Sequence, residues 1–178
     1  RGEHGVIEPA QFIPLAEETG LILEIGEWVL RQACETLRGW RAQGIDGLTM
    51  AVNVSALQLL RGEFPTLLAR ILADTGVPPA LLELELTESM LMANAGAAAS
   101  SLQALQRLGV RMAIDDFGTG YSSLAYLRRL PIHTVKIDKA FVDGLGEDGE
   151  DRAIAGAIIA MGHALGLNVV AEGVETEA

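Results

Sequence analysis

Apolar positions along the chain follow two different periods. From Glu24 to Gln43, Ile25, Trp28, Val29, Cys34, Leu37 and Trp40 recur at near-helical spacing, which predicts a helix closed by Gly44. Pro9 suits a helical first turn, so a short helix is predicted over Gln11–Thr19 with Gly20 as its stop. Short apolar runs predict strands at Leu48–Val54, Leu81–Leu86, Val110–Asp115, His133–Ile137 and Leu167–Ala171. Between them lie a short helical piece capped by Ser55 and helical patterns at Phe64–Thr75, Asn94–Leu108, Ser122–Leu130 and Asp151–Leu165. Gly76, Gly109, Pro131 and Gly166 stand where those helices should stop. Strands that alternate with helices make parallel βαβ units, so the fold class is α/β. The nearly unbroken apolar runs fit strands covered on both faces.

Each predicted strand ends, at its C-terminal side, on a polar or charged residue in apolar company. These are Asn53, Glu85, Asp115 with Asp116, Lys136, and Glu172. In parallel α/β folds ligands bind at that end of the sheet. Asp115 and Asp116 stand where the strand should become a glycine-bearing loop, Phe117-Gly118-Thr119-Gly120, followed by Tyr121-Ser122-Ser123. Alternation sends the two aspartates in different directions from one corner of the backbone. Carboxylates this close repel unless a cation or proton lies between them, and hard divalent cations take such oxygen ligands. A solvated Asp-Asp turn is the plain alternative. Glu85 shares a face with Glu83, and a buried carboxylate there is costly unless paired or metal-bound. Glu88 could be a helix N-terminal charge or a support behind the metal ligands. Lys136 suits neutralising carboxylates or holding a nucleophilic water, with Asp138 as a possible partner. Glu172 and Glu175 flank Gly173-Val174, one expected to face the site and the other solvent.

Net charge narrows the function. At −11 the chain lacks the basic face a DNA or RNA polymer needs, and a phosphate ester in so acidic a site calls for metal ions. A single cysteine, Cys34, excludes an internal disulfide and is expected to be a small buried apolar residue. His4, His133 and His163 lack metal-ligand spacing and are expected to be structural or surface residues. No signal peptide is evident. The apolar stretch 153–171 reads as helix, turn and buried strand rather than a membrane segment.

The stretches PAQFIPLAEETGLI at 9–22, NVSA at 53–56, ELTES at 85–89, DDFGTGYSSL at 115–124, VKIDKAFV at 135–142 and AEGVET at 171–176 resemble, in order, the motifs of the EAL-domain cyclic di-GMP phosphodiesterases. The resemblance implies a (β/α)8 TIM-like barrel and hydrolysis of cyclic di-GMP to linear pGpG by a two-metal mechanism with Mg2+ or Mn2+. It implies Asn53, Glu85 and Asp115 on one ion, and Asp115, Asp116 and Glu172 on the other. Lys136 would orient the attacking water, Glu172 would join it in catalysis, and Glu88 would steady the loop after Asp116. The naming Glu-Ala-Leu motif is expected before residue 1, and the closing strands and a Gln-Gly motif after residue 178. Residues 1–178 are therefore expected to be the central part of an incomplete barrel. A homodimer, fusion to sensory or diguanylate-cyclase-like domains, and a cytoplasmic location are expected too. A non-catalytic cyclic di-GMP receptor, or a dimerising signalling module, is the alternative.

Overall fold

The computed structural model describes residues 5, 7–93, 95–119, 124–144 and 149–175. Expectations that fall on His4, Asn94, Gly120, Tyr121, Ser122 and Ser123 lie outside the described residues.

Two helices precede the sheet, α1 (Pro9–Thr19) and α2 (Ile22–Ala42). Pro9 opens α1, and Gly20, at φ 79°, ends it in the left-handed conformation that favours glycine. Helix α2 buries Ile22, Leu30, Cys34 and Leu37. Trp28, expected on that apolar stripe, is instead 63% exposed. The buried line runs through Leu30, Cys34 and Leu37, at steps of four and three, and Trp28 falls off it.

Strand β1 (Met50–Asn53) leads to α3 (Ala56–Leu60) and α4 (Phe64–Thr75). A reciprocal cap starts α3: Ser55 accepts from the Gln58 backbone while the Gln58 side chain accepts from the Ser55 backbone. After Pro78, a 3-10 turn at Pro79–Leu81 enters β2 (Leu82–Thr87). Next come α5 (Glu88–Ala93), α6 (Ala95–Leu108), β3 (Arg111–Phe117), α7 (Leu124–Leu127), β4 (Thr134–Ile137), α8 (Lys139–Asp143), α9 (Gly149–Ala164) and β5 (Asn168–Ala171). Helices α5 and α8 were not expected. Most other boundaries differ from expectation by one or two residues, the usual fraying of helix and strand ends. The β3 boundary matters more, because Asp115 and Asp116 both lie inside the strand rather than at its exit.

All five strands are parallel and their spatial order is their chain order, β1-β2-β3-β4-β5. A doubly wound sheet would reverse order at a switch point, whereas sequential order builds the wall of an α/β barrel. The expected TIM-like α/β architecture is thus present. One face of β2 carries Leu82, Leu84 and Leu86, all fully buried. These pack into a core with Leu68 and Ile71 of α4, Leu102 and Leu105 of α6, and Met112 and Ile114 of β3. The register places Asn53 beside Glu85, Glu85 beside Ala113, and Thr87 beside Asp115. On the other side of β3, Ala113 pairs with Thr134. Alternation then sets Asn53, Glu85, Asp115 and Lys136 on one face, opposite the leucines. No helix among the described residues is long and apolar enough to cross a membrane.

Candidate metal centre

Two strands and the residue after a third deliver carboxylates to one ammonium. Lys136 Nζ lies 2.7 Å from Glu85 Oε1, 3.0 Å from Asp115 Oδ1 and 2.5 Å from Glu172 Oε1. The acids come from β2, β3 and the residue after β5, and the lysine from β4. Glu172 is fixed by its backbone N–H, which donates to the Ile137 carbonyl at 3.2 Å. The side chains are 9–33% exposed, so solvent screens them only in part. Burial works against the Lys136 charge, but hydrogen bonds to Glu172, Glu85 and Asp115 outweigh it and hold the ammonium well above its ordinary value.

Asp116 departs from alternation. It has φ 53°, left-handed backbone that a non-glycine residue adopts only at a cost. Pairing of β3 with β4 shifts between Ile114 and Phe117: three steps along β3 match two along β4, a β-bulge. The extra residue turns Asp116 back towards its neighbour, so the expectation that the two aspartates diverge is corrected. A carboxylate oxygen from each of Asp115, Asp116 and Glu172 lies within 4.8 Å of the others. Burial raises the Asp116 pKa, and the charges of Asp115, Asp138 and Glu172 raise it further, with Lys136 opposing. A bound cation would relieve the crowding, and an all-oxygen donor set suits a hard divalent one. The residues present therefore fit such an ion.

Glu88 stands behind this cluster. It is 1% exposed, and its Oε2 accepts the Gly118 N–H at 2.9 Å. Its Oε1 is buried without a hydrogen-bond partner among the described residues. Asn53 is exposed and sits one strand from Glu85 in register. Asp138, considered as a partner for Lys136, instead caps α8 by accepting the Ala140 N–H at 2.7 Å.

Two polar arrangements were not anticipated. At the opposite end of the strands, Glu83 accepts from Thr134 Oγ1 at 3.0 Å and from Arg111 Nε at 3.3 Å. At the rim, Lys139 Nζ donates to Glu175 Oε1 at 2.9 Å. The shared spacing of three in Lys136/Lys139 and Glu172/Glu175 was the available signal for the second. His133 is structural, its Nδ1 accepting the Met112 N–H at 3.2 Å. Cys34 is fully buried, as expected, and burial pushes its thiol pKa up.

A cavity of about 510 Å3 lies elsewhere, between the start of α2 and the α3–α4 corner, lined among others by Leu23, Glu27, Gln58, Phe64 and Arg70. None of the clustered acids lines it. Its Glu27 is already paired with Arg31 and Arg70, each at 3.5 Å. Volume alone points there, but the unrelieved carboxylates point to the strand ends.

A family model described as EAL domain matches residues 1–178. The bifunctional diguanylate cyclase/cyclic di-GMP phosphodiesterase MucR of Pseudomonas aeruginosa is 49% identical over 176 residues, covering 99% of this chain and 26% of MucR. The signaling protein YkoW of Bacillus subtilis is 49% identical over 170 residues, 96% of this chain and 21% of YkoW. The chain thus spans about a quarter of the length of these relatives. Among solved structures, the PaMucR phosphodiesterase in its c-di-GMP complex superposes with a TM-score of 0.95 at 48% identity, over 99% of this chain and 72% of that one.

Proposed function

The chain belongs to the EAL domain family, and from that premise we propose that it carries the active face of a cyclic di-GMP phosphodiesterase. The reaction is hydrolysis of one phosphodiester bond to give linear pGpG. The observation that carries this reading is the convergence of Glu85, Asp115 and Glu172 on Lys136, with Asp116 turned into the same cluster. A similarity at 48% identity to a phosphodiesterase structure holding c-di-GMP supports it.

Asn53, Glu85 and Asp115 would hold one Mg2+ or Mn2+ ion, and Asp115, Asp116 and Glu172 a second. Such ions supply an activated water at neutral pH and stabilise charge on the phosphoryl and leaving oxygens. The chain's own residues supply the rest. Water adds to phosphorus and the bond from phosphorus to the 3′ oxygen breaks, and the departing 3′ oxygen takes a proton from solvent, leaving a 5′-phosphate and a 3′-hydroxyl. Glu172, the most exposed carboxylate on Lys136, is open to the water and takes its proton. Lys136, held firmly cationic, orients that water and faces the developing negative charge. Glu88 fixes the backbone just after Asp116 through Gly118.

Incubation of the protein with cyclic di-GMP and Mg2+, with products separated by chromatography, tests this. Formation of pGpG that disappears in Asp115→Ala is the expected result. Binding of cyclic di-GMP without cleavage, at saturating Mg2+ and Mn2+, would overturn it in favour of a receptor.

A further inference from the structure

Two lysine–glutamate pairs tie the end of β4 to the end of β5. The inner pair is Lys136 with Glu172, part of the acidic cluster. The outer pair is Lys139 with Glu175, Nζ to Oε1 2.9 Å. Gly173 lies between the two glutamates at φ 72° and packs against the Lys139 stem. A Cβ at Gly173 would lie 2.5 Å from Lys139 Cγ and 2.7 Å from its Cδ, so any side chain there would have to displace the Lys139 stem. Lys139 thus grips the turn twice, with its methylenes over Gly173 and its ammonium on Glu175. Lys139 is itself anchored as the first residue of α8, which Asp138 caps. The outer side chains are 52% and 75% exposed, and so exposed an ion pair adds little to global stability. Its effect falls on where the turn sits, and that turn begins with Glu172.

We propose that Lys139 is a positioning residue, which fastens the turn after β5 so that the Glu172 carboxylate stays directed into the acidic cluster. The proposal rests on the reading of that cluster as a metal centre. Supporting groups behind metal ligands commonly change affinity by about 10- to 100-fold, and the exposure of this pair places its effect at about 5-fold.

The test compares Lys139→Met and Lys139→Arg with the unsubstituted protein. Mn2+ binding is followed by the loss of the free-ion paramagnetic resonance signal, and hydrogen exchange of segment 170–175 is measured without metal. For Lys139→Met the expected outcome is Mn2+ affinity weakened about 5-fold, faster exchange in that segment and an unchanged thermal midpoint. Lys139→Arg restores both affinity and exchange. Unchanged affinity in Lys139→Met, with or without faster exchange, overturns the proposal. If the unsubstituted protein binds no Mn2+, the metal-centre reading falls and exchange alone decides. Loss of protection rescued by arginine then supports the clasp, and unchanged protection overturns it.

Discussion

Lys136 on β4 reaches over the intervening strand β3 to place its ammonium 2.7 Å from Glu85 on β2. One cation thereby serves carboxylates on both sides of Asp115. Without it, Glu85, Asp115 and Glu172 would face one another uncompensated. Removing one partner of a buried pair costs about 3–5 kcal/mol, and partial exposure here lowers that to about 1–3 kcal/mol. We expect Lys136→Met to lower the thermal midpoint in metal-free buffer, and millimolar Mg2+ to recover part of the loss. Cyclic di-GMP hydrolysis should fall by at least about 100-fold. A metal-free midpoint equal to that of the parent would contradict the counter-cation role.

Backbone and charge at Asp116 can be separated. Asparagine tolerates left-handed backbone, whereas a β-branched side chain there costs about 1–2 kcal/mol. Asp116→Asn should therefore unfold in urea at the parent midpoint or slightly above it, since one of the crowded charges is gone. Asp116→Val should lose about 1–2 kcal/mol. Both variants should bind Mn2+ more weakly. Equal stability of the two would show that φ 53° imposes no constraint.

Glu88 joins α5 to the residue that follows β3 by accepting the Gly118 N–H. Truncation leaves that N–H without its acceptor, and a hydrogen bond to a charged group contributes about 1.5–3 kcal/mol. Glu88→Ala should lose stability in that range, with faster exchange at the Gly118 amide. Glu88→Gln keeps an acceptor oxygen and removes a buried charge, so its loss should be about 0.5 kcal/mol or less. Similar losses in both variants would mean that packing, rather than this bond, is what matters at the position.

Alternation along the strands made most of this site readable from sequence. Once apolar runs are taken as strands, a polar residue at each C-terminal end marks one end of the sheet, and Glu85, Asp115, Lys136 and Glu172 converge there. Asp116 was not readable in the same way. Its direction depends on a bulge and a positive φ, and both break the two-residue period on which the reading rests. Helix α8 spans only Lys139–Asp143, too short to show a 3.6-residue pattern. Without that helix, nothing in the sequence separates a capping role for Asp138 from pairing with Lys136. Trp28 shares the near-helical spacing of Cys34 and Leu37, but that spacing admits two adjacent stripes on α2, and only packing selects the line through Leu30, Cys34 and Leu37.

A glycine inside α2 has a packing cause that intrinsic helix propensity would miss. Alanine in a helix interior is favoured over glycine by about 1 kcal/mol, so Gly26→Ala should stabilise if nothing else intervened. A methyl group at Gly26, however, would occupy the space of the Gln58 carboxamide. Gln58 is 4% exposed, and its Oε1 accepts from the Ser55 backbone N–H and from the Ser55 hydroxyl, each at 3.1 Å. It can move only by breaking the cap of α3, worth about 1 kcal/mol, and crowding a packed contact costs about 1–3 kcal/mol more. Crowding should win, so Gly26→Ala should lose about 1–3 kcal/mol in urea unfolding. In a Gln58→Ala background the obstacle is absent, and the same substitution should be neutral or should stabilise by up to about 1 kcal/mol. That reversal of sign is the test: a loss that persists without Gln58 would place the constraint on Gly26 elsewhere.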